Sequence, residues 1–296
     1  MIKVYITGSS GFVGKNILKY FESHFSFIKF YKNNKLHVEG DVVLHLAGKA
    51  HDLKYVSSSQ EYYNVNTELT KLIFDDFLAS NAKVFITLSS VKAVADVVHG
   101  ELLEEVTPNP MTHYGKSKLL AEQYILSHSI PKGKRVYILR PCMIHGPGNK
   151  GNLNLLYSLI SKDLPWPLGD FDNHRSYLSI ENLLFIIKEL IEREEIPSGV
   201  YNVADDVPLS TNEVIRLMAK SKEKKLRIIK LKRVVITNLA RIGDFLKLPL
   251  NTERLQKLTE SYIVNNDKIK SVLGKPLPVS SKDGLLRTFQ SFSSNV

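Results

Sequence analysis

Cysteine and long apolar runs are nearly absent from this sequence. One residue of 296 is cysteine, Cys142, so the chain cannot form an internal disulfide, and we expect a reducing cytoplasm as its compartment. No apolar run approaches the roughly 18 residues of a membrane span. Met1 leads directly into an apolar strand, so we expect no signal peptide. The histidines never fall at metal-ligand spacings, and we predict no metal site.

Acidic residues are outnumbered, and the formal net charge is +10. The lysines and arginines are scattered, with local density only over residues 220–233. We interpret that segment as a solvated turn and an edge strand rather than as a nucleic-acid or membrane-surface patch. We therefore expect no nucleic-acid partner and no stable membrane insertion. The excess charge suits anionic small molecules such as a phosphorylated cofactor and substrate.

A glycine-rich turn near the N-terminus predicts a dinucleotide site. It follows a short β-branched strand at residues 3–7 and precedes a helix through Ile17 and Phe21. Its glycines allow a tight turn and close backbone approach, and the amides that open the helix would face a pyrophosphate. A P-loop fits less well, because Asn16 stands where a serine or threonine is needed. The residues assigned to the turn are Gly8, Ser10, Gly11, Phe12, Val13 and Gly14.

No acidic residue occurs between Glu22 and Glu39, where a carboxylate would usually meet the ribose 2′-hydroxyl of NAD. The second strand, at residues 25–31, runs instead into Lys32 and Lys35. Cations there would favour a 2′-phosphate, so Lys32 is assigned to the cofactor and NADP is preferred to NAD. A merely solvated turn is the alternative.

Strands and helices alternate over the first half of the chain, which predicts an α/β fold with a doubly wound parallel sheet of Rossmann type. The connection after Tyr31 is short, and a helix is predicted at about 60–79. Beyond Gly148 the alternation loosens, which predicts a smaller mixed α/β C-terminal substrate domain. We assign residues 1–148, with about 177–204 returning, to the NADP-binding domain, and about 149–176 and 205–296 to the substrate domain.

Tyr114 and Lys118 stand four residues apart at the start of a predicted helix, so their side chains share one face. A phenol titrates near pH ~10 and exchanges protons poorly at neutrality. An ammonium beside it favours the phenolate and should lower the pKa of Tyr114. The pair is suited to carbonyl and alcohol chemistry, although this spacing alone also occurs at ordinary exposed helix starts.

Taken together, these pieces resemble the extended short-chain dehydrogenases/reductases of the NAD-dependent epimerase/dehydratase group. The resemblance rests on Thr7-Gly8-x-x-Gly11-Phe12-Val13-Gly14, His45-Leu46-Ala47-Gly48, Leu88-Ser89-Ser90, Tyr114-x-x-x-Lys118, Arg140-Pro141, Gly146-Pro147-Gly148 and residues 264–274. It implies that Tyr114 exchanges the hydroxyl proton, Ser90 hydrogen-bonds the same oxygen, and Lys118 holds the nicotinamide ribose. It also adds to the cofactor site Leu46, Ala47, Gly48, Asn66 and Pro141.

A bacterial subgroup that acts on UDP-linked N-acetyl sugars is the nearest resemblance, carried by residues 89–92, 148–153 and 172–176. It implies that Asn152 and Arg175 contact the UDP diphosphate and that Leu168 lines the substrate site; a helix cap and a surface ion pair are the plainer alternatives for Asn152 and Arg175. Val91 and Lys92 stand where 4,6-dehydratases carry an acid/base pair, so dehydration is not expected. His145 and Cys142 also depart from the usual pattern.

The resemblance implies a hydride transfer between NADP and C4 of a UDP-sugar. We predict reduction of a UDP-4-keto-6-deoxy-N-acetylhexosamine for surface-polysaccharide synthesis. A UDP-hexose or UDP-N-acetylhexosamine 4-epimerase is the alternative, and a non-catalytic NADP-binding regulator is the third hypothesis. A homodimer through the helix of Tyr114 and the helix at 60–79 is the oligomer that the family suggests.

Overall fold

The computed structural model describes residues 1–31, 37–49, 58–149, 151–162, 165–246 and 251–293, and of Asn152 and Ser293 it describes the backbone alone. A six-stranded parallel sheet organises them, in the order β2-β1-β3-β4-β6-β9. Its strands are β1 (Ile2–Thr7), β2 (Phe25–Lys29), β3 (Val42–His45), β4 (Val84–Leu88), β6 (Arg135–Pro141) and β9 (Gly199–Val203). Strand order reverses between β1 and β3, and open α/β sheets bind ligands outside the carboxyl ends of strands at such a point.

Helices cover both faces of the sheet. The helices of the described residues, of which only some lie on the sheet, are α1 (Phe12–Tyr20), α2 (Ser59–Tyr62), α3 (Leu69–Ala79), α4 (His113–Leu126), α5 (Asn152–Ile160), α6 (Ile180–Glu192), α7 (Thr211–Ser221), α8 (Arg233–Leu246), α9 (Thr252–Thr259), α10 (Asp267–Leu273) and α11 (Ser281–Ser293). On one face, Ile17 of α1 and Leu183 of α6 join the core beneath β1 and β3. On the other, Phe74 of α3 and Ile125 of α4 pack on Phe85. The predicted doubly wound α/β fold is thus confirmed.

The predicted helix at 60–79 is not one regular α-helix. Between α2 and α3 the backbone opens into a π-helical turn at Tyr63–Glu68, which carries Asn66. A π-turn places one extra residue in the helical ladder and re-aims the side chains around it. The π-helical turn carries Asn66 between the loop that follows β3 and the start of α4.

Late segments of the chain build a second hydrophobic cluster around Trp166, Leu209, Ile215, Leu285 and Phe289. Four short strands connect to it or to the sheet: β5 (Glu101–Leu102), β7 (Met143–His145), β8 (Tyr177–Ser179) and β10 (Ile263–Val264). Strand β7 pairs with β8, and β10 pairs with β5. A smaller mixed α/β C-terminal part therefore follows the sheet, as predicted.

The basic segment at 220–233 contains a turn, but it forms no regular edge strand. It follows the end of α7, makes two isolated bridges, Trp166 to Ile228 and Leu168 to Lys230, and enters α8. Residues 166–168 therefore form the other side of these isolated bridges. Within the described ranges, no helix is long and apolar enough to cross a membrane.

Candidate active site

Two glycines of the turn, Gly8 and Gly14, leave no room for a side chain. Gly8 has φ +70°, and a Cβ there would lie 2.5 Å from the backbone nitrogen of Ala47. A Cβ on Gly14 would collide with the carbonyl of Gly8. Gly11 caps α1 and donates its own N–H to the Gly8 oxygen at 3.0 Å. No side chain caps the helix and no acid lies in its first turn, so its amides are free to meet an anion.

Buried polar groups link the ends of β1 and β3, and the sequence analysis missed them. Thr7 Oγ1 accepts from the Ala47 N–H at 3.1 Å and contacts His45 Nδ1 at 2.8 Å. His45 Nε2 meets Thr70 Oγ1 at 2.9 Å, and Thr70 donates to the Asn66 carbonyl. These directions require Nε2–H and a bare Nδ1. Burial, with Lys118 as a second cause, lowers the pKa of His45 to about 3, so the ring is neutral.

Asn66 ties the loop after β3 to α4. Its Oδ1 accepts from the Lys49 N–H at 2.8 Å, and its Nδ2 donates to Ser117 Oγ at 3.0 Å. A Cβ on Gly48 would lie 3.0 Å from Lys118 Nζ. The chain from Leu46 to Gly48 is therefore pressed against α4, so a cofactor could lie against bare backbone there.

Tyr114 and Ser90 meet at the carboxyl edge of the sheet. Ser90 follows β4, and Tyr114 sits in the first turn of α4, whose cap is Thr112 accepting from the Gly115 N–H at 3.1 Å. Burial raises the pKa of Tyr114, and its hydrogen bond with Ser90 lowers it by less. Tyr62 packs edge-on against the Tyr114 ring at 6.3 Å. The phenol is therefore protonated at neutral pH and hydrogen-bonded to the predicted serine.

Lys118 lies one turn along the same helix but does not act on Tyr114 as expected. Its Nζ donates to the Leu88 carbonyl at 2.8 Å, and the side chain is 8% exposed. Burial lowers the pKa of Lys118 to about 8, while Glu122 raises it. The expectation that Lys118 lowers the pKa of Tyr114 is not met, because burial of the phenol is the largest influence on that pKa and raises it. The Lys118 ammonium is held instead by the Leu88 carbonyl.

A buried ion pair anchors α4 to the sheet. Arg140, at the end of β6, donates to both oxygens of Glu122, and its Nη2 lies 2.6 Å from Oε2. The side chains are 5% and 2% exposed. Glu122 lies one turn beyond Lys118, so the pair fixes the helix face that carries Tyr114 and Lys118. Arg140 stands in a sequence motif, but its pairing with Glu122 spans 18 positions and no local pattern reveals it.

The two residues that follow Ser90 do not form an acid/base pair. Val91 is buried in the core beneath the sheet. Lys92 Nζ donates to the Asp96 carbonyl at 2.8 Å and lies 4.3 Å from the centre of the Tyr262 ring. Burial lowers the pKa of Lys92, and nearby Arg175 lowers it further, while Asp96 raises it.

Arg175 lies just before β8. Its backbone bridges Leu209 and Tyr262, and its Nη1 donates to the Lys257 carbonyl. Within the described part of the chain it forms no ion pair with a carboxylate, which argues against the surface ion-pair alternative. Tyr262 in turn donates to the Ala95 carbonyl at 2.7 Å, so Arg175 is attached to the segment that follows Ser90. The predicted diphosphate residue is thus near the catalytic edge.

Leu168 and Asn152 are the other residues predicted to contact the substrate, and His145 departs from the usual family pattern. Leu168 is 4% exposed and packs in the second cluster, so its side chain is not open to a ligand. Gly151 rather than Asn152 caps α5, and the Asn152 side chain lies outside the described residues. His145 is buried, with Nδ1 2.9 Å from Thr288 Oγ1, and so belongs to packing rather than to a substrate wall.

Pro141 and Lys32 are the two other residues that the sequence assigns to the cofactor site. Pro141 ends β6 and is buried beside the carboxyl ends of β4 and β9. Lys32, and with it Lys35, lies outside the described residues. The 2′-phosphate contact, on which the choice of NADP depends, therefore stays a prediction.

Comparison with known proteins identifies the same family. The family model described as the NAD dependent epimerase/dehydratase family matches residues 29–204. A UDP-glucose 4-epimerase of Vibrio cholerae is 30% identical over 317 residues, which cover 98% of this chain and 95% of that protein. An N-acetyl-alpha-D-glucosaminyl-diphospho-ditrans,octacis-undecaprenol 4-epimerase of Escherichia coli O157:H7 is 29% identical over 63% of this chain and 56% of its own length. A GDP-6-deoxy-D-talose 4-dehydrogenase of Aggregatibacter actinomycetemcomitans is 25% identical over 73% of this chain and 79% of its own.

Solved structures share the fold over the full length. RMD from Pseudomonas aeruginosa, complexed with NADPH, superposes with a TM-score of 0.74 at 21% identity and covers 100% of both chains. UDP-glucuronic acid 4-epimerase from Bacillus cereus, in complex with NAD, has a TM-score of 0.75 at 19% identity and covers 99% of both. At these identities the likeness concerns the fold alone.

Proposed function

This chain belongs to the NAD dependent epimerase/dehydratase family, and from that premise we propose that it is a 4-epimerase of a sugar carried on a diphosphate. The observation that carries the proposal is the hydrogen-bonded pair of Ser90 and Tyr114 at the carboxyl edge of the sheet, with Lys118 one helical turn away. A relative that is 30% identical and covers almost the whole chain is named as a UDP-glucose 4-epimerase. This moves our preference from the 4-keto reductase favoured by the sequence to the 4-epimerase.

Each member of the catalytic set has a proposed role. Tyr114 exchanges a proton with the oxygen on C4 of the sugar. Ser90, already hydrogen-bonded to Tyr114, contacts the same oxygen and fixes its position. Lys118 is held below this pair by the Leu88 carbonyl and presents an ammonium to a ribose hydroxyl. Asn66 and the Glu122–Arg140 ion pair keep α4 in place against the sheet.

The glycine turn fits a nicotinamide dinucleotide. A Cβ at Gly8 or Gly14 would collide with the backbone around the turn, so only glycine allows its tight shape. The uncapped amides of α1 suit a pyrophosphate. Leu46, Ala47 and Gly48 would line the adjacent wall. When bound there, this cofactor would supply reversible hydride transfer at C4 of the sugar.

The substrate is proposed to be recognised through its diphosphate. Arg175 offers a planar fork of donors that matches phosphate oxygens. Among the relatives, the sugar is named both on a nucleotide and on a polyprenol diphosphate, so a diphosphate is what the two names share. We also propose that the later segments around the second cluster form the substrate domain, with boundaries as predicted from the sequence.

Dehydration is not part of the proposal. Removal of water from the sugar needs an acid/base pair after the active hydroxyl. Here Val91 is buried in the core and Lys92 is engaged with Asp96 and Tyr262. Neither side chain is available to move a proton on the substrate.

The test is whether the protein, supplied with NAD or NADP, converts UDP-glucose or UDP-N-acetylglucosamine into its 4-epimer. Ion-exchange chromatography separates and measures the two epimers. We expect epimer from the wild type and about 10²–10⁴-fold less from Tyr114→Phe, the usual range for loss of a general acid/base. Cofactor binding with no conversion of any diphosphate sugar would support the non-catalytic regulator instead.

A 4-keto reductase is the second candidate, and two observations favour it. Burial raises the pKa of Tyr114, so the protonated phenol is ready to donate to a C4 carbonyl. The acid-free stretch between Glu22 and Glu39 suits NADPH. If this candidate is right, NADPH is consumed stoichiometrically with a UDP-4-keto-6-deoxy-N-acetylhexosamine.

The preference for NADP has its own test. Charge-assisted contacts from Lys32 and Lys35 to a 2′-phosphate contribute roughly 1.5–3 kcal/mol each, so NADPH should bind at least tenfold more tightly than NADH in calorimetric titration. Added salt should narrow the difference. Equal binding of the two cofactors would contradict the assignment of Lys32.

A homodimer through α3 and α4 stays our proposal for the oligomeric state. Leu72 on α3 and Leu120 on α4 are 56% and 44% exposed, and such side chains are available to pack against a second copy. Sedimentation equilibrium measures the state directly.

A further inference from the structure

Helix α8 exposes a continuous apolar stripe. Ile236, Ala240 and Gly243 face the protein and are buried. A second row of apolar side chains lies about 100° round the helix and points to solvent. It consists of Val235, Leu239, Ile242 and Leu246, which are 47%, 47%, 52% and 56% exposed. Val234 and Phe245 lie beside this row. Phe245 is 87% exposed. We call this face, with Ile229 and Leu231 before it, the α8 surface.

The stripe is concentrated rather than scattered. Of 21 large apolar side chains that are exposed in the described residues, eight lie between Ile229 and Leu246. Single exposed apolar residues need no explanation, whereas a contiguous patch marks a surface that meets something apolar. The α8 surface is also separate from α3 and α4, which carry the proposed dimer contact.

Cations border the stripe. Six lie on the same segment and are exposed, namely Lys225, Arg227, Lys230, Lys232, Arg233 and Arg241. Arg233 lies 3.9 Å from Asp170. Asp244 is the one carboxylate in residues 225–246, and it accepts hydrogen bonds from the backbone and hydroxyl of Thr252. On the neighbouring α9, Glu253 pairs with Lys257 at 2.5 Å. The surface therefore carries a net positive charge around an apolar centre.

We propose that the α8 surface docks this protein on an anionic lipid bilayer. An exposed helix face with apolar residues and flanking lysines and arginines binds in the plane of a membrane interface, with the apolar side chains among the acyl chains and the cations at the headgroup phosphates. A second copy of this chain fits less well, because two cationic borders would face each other, and like charges across an interface are costly. The proposal revises our interpretation of the basic segment as merely solvated, since the sequence did not reveal that α8 leaves a face uncovered.

Docking would also orient the catalytic side of the molecule, a consequence that rests on the proposed function. Lys230 bridges Leu168, and Arg175 donates to the carbonyl of Lys257 on α9, which packs against α8. The proposed diphosphate site is thus one helix away from the lipid surface. Binding to vesicles requires no turnover, so failure of docking and failure of the proposed activity can be told apart.

The experiment is co-sedimentation of the full chain with vesicles of phosphatidylcholine, with or without phosphatidylglycerol. We expect binding to the mixed vesicles at low salt, and much less binding to pure phosphatidylcholine or at high salt. The triple variant Leu239→Ser/Ile242→Ser/Phe245→Ser should lose on the order of tenfold or more in partition coefficient. Lys232→Gln and Arg241→Gln should each lose about fivefold.

Matched controls separate the α8 surface from general stickiness. Leu126→Ser removes an apolar side chain that is 58% exposed on α4, and Lys132→Gln removes an exposed cation elsewhere. Both should bind vesicles as the wild type does. All the altered side chains are exposed, so thermal unfolding should be unchanged and loss of binding is not loss of fold.

Three results would overturn the proposal. The first is absence of sedimentation with phosphatidylglycerol vesicles at low salt. The second is a triple variant that binds vesicles normally but no longer self-associates in sedimentation velocity, which would make α8 an interface between copies. The third is binding to duplex DNA as tight as binding to vesicles and unaffected by the triple variant, which would make the cations a nucleic-acid surface.

Discussion

Lys118→Met should leave the cofactor-free protein at least as stable as the wild type while abolishing most of its activity. Burial lowers the pKa of Lys118 from 10.5 to about 8. This difference of about 2.5 corresponds to about 3 kcal/mol of destabilisation by the buried ammonium at neutral pH. Loss of the hydrogen bond to the Leu88 carbonyl destabilises the variant by about 1–2 kcal/mol. Methionine keeps the length of the side chain, so we expect a net gain of about 1–2 kcal/mol.

The gain should depend on pH in a defined direction. Below pH 8 the amine is charged in both the folded and the unfolded state, and the folded protein bears the full penalty. Between about 8 and 10.5 the unfolded chain binds more protons, so the stability of the wild type rises with pH relative to the variant. The advantage of Lys118→Met is therefore largest at neutral pH and shrinks as the pH approaches 10.5.

Urea unfolding measures the difference, with fluorescence of the single tryptophan, the buried Trp166, as the probe. Lys116→Met is the matched control, since it removes an exposed lysine from the same helix and should change stability by less than about 0.5 kcal/mol. A variant that is less stable than the wild type by more than about 1 kcal/mol, with a gap that does not vary with pH, would refute the reasoning.

Three further substitutions test other parts of the account. Tyr114→Phe should retain cofactor affinity in calorimetry and lose about 10²–10⁴-fold in turnover; near-normal turnover would remove Tyr114 from the mechanism. Gly8→Ala should abolish cofactor binding because its Cβ would lie 2.5 Å from the Ala47 nitrogen, whereas Gly151→Ala, with nothing within 4 Å, should bind normally. Glu122→Gln leaves Arg140 unpaired and should cost about 3 kcal/mol in urea unfolding, with much of it restored in Glu122→Leu/Arg140→Met; an unaltered midpoint would show that the pair does not anchor α4.

Sequence patterns predict those parts of the site that depend on neighbours along the chain. The spacing of the glycines is a local signal, and Gly14 is restricted by Gly8 and Ser9 of the same turn. Gly8 is restricted by Leu46 and Ala47, which follow β3, the neighbouring strand in the sheet. The strand ends carrying Ser90 and Pro141 follow from runs of β-branched and apolar residues. Family resemblance then supplies the pairing of Ser90 with Tyr114, which the structure places in hydrogen bond.

Contacts between distant segments were not predictable in this way. Lys118 is held by a carbonyl 30 positions earlier, and this contact, rather than proximity on the helix, determines its electrostatic role. The tautomer of His45 depends on Thr7 and Thr70, which lie on other elements. In α8 both faces contain apolar residues, so the sequence could not indicate which face the rest of the chain would cover.

Retention of label at C4 tests the central claim most directly. We would supply a UDP-sugar that carries deuterium at C4, with cofactor, to the wild type and to Tyr114→Phe, and locate the deuterium in the product by NMR. If Ser90, Tyr114 and Lys118 carry out a reversible oxidation at C4, the 4-epimer forms, keeps its deuterium at C4, and forms far more slowly with Tyr114→Phe. Deuterium lost from C4 to water, or solvent hydrogen incorporated at C5 instead, would contradict the account.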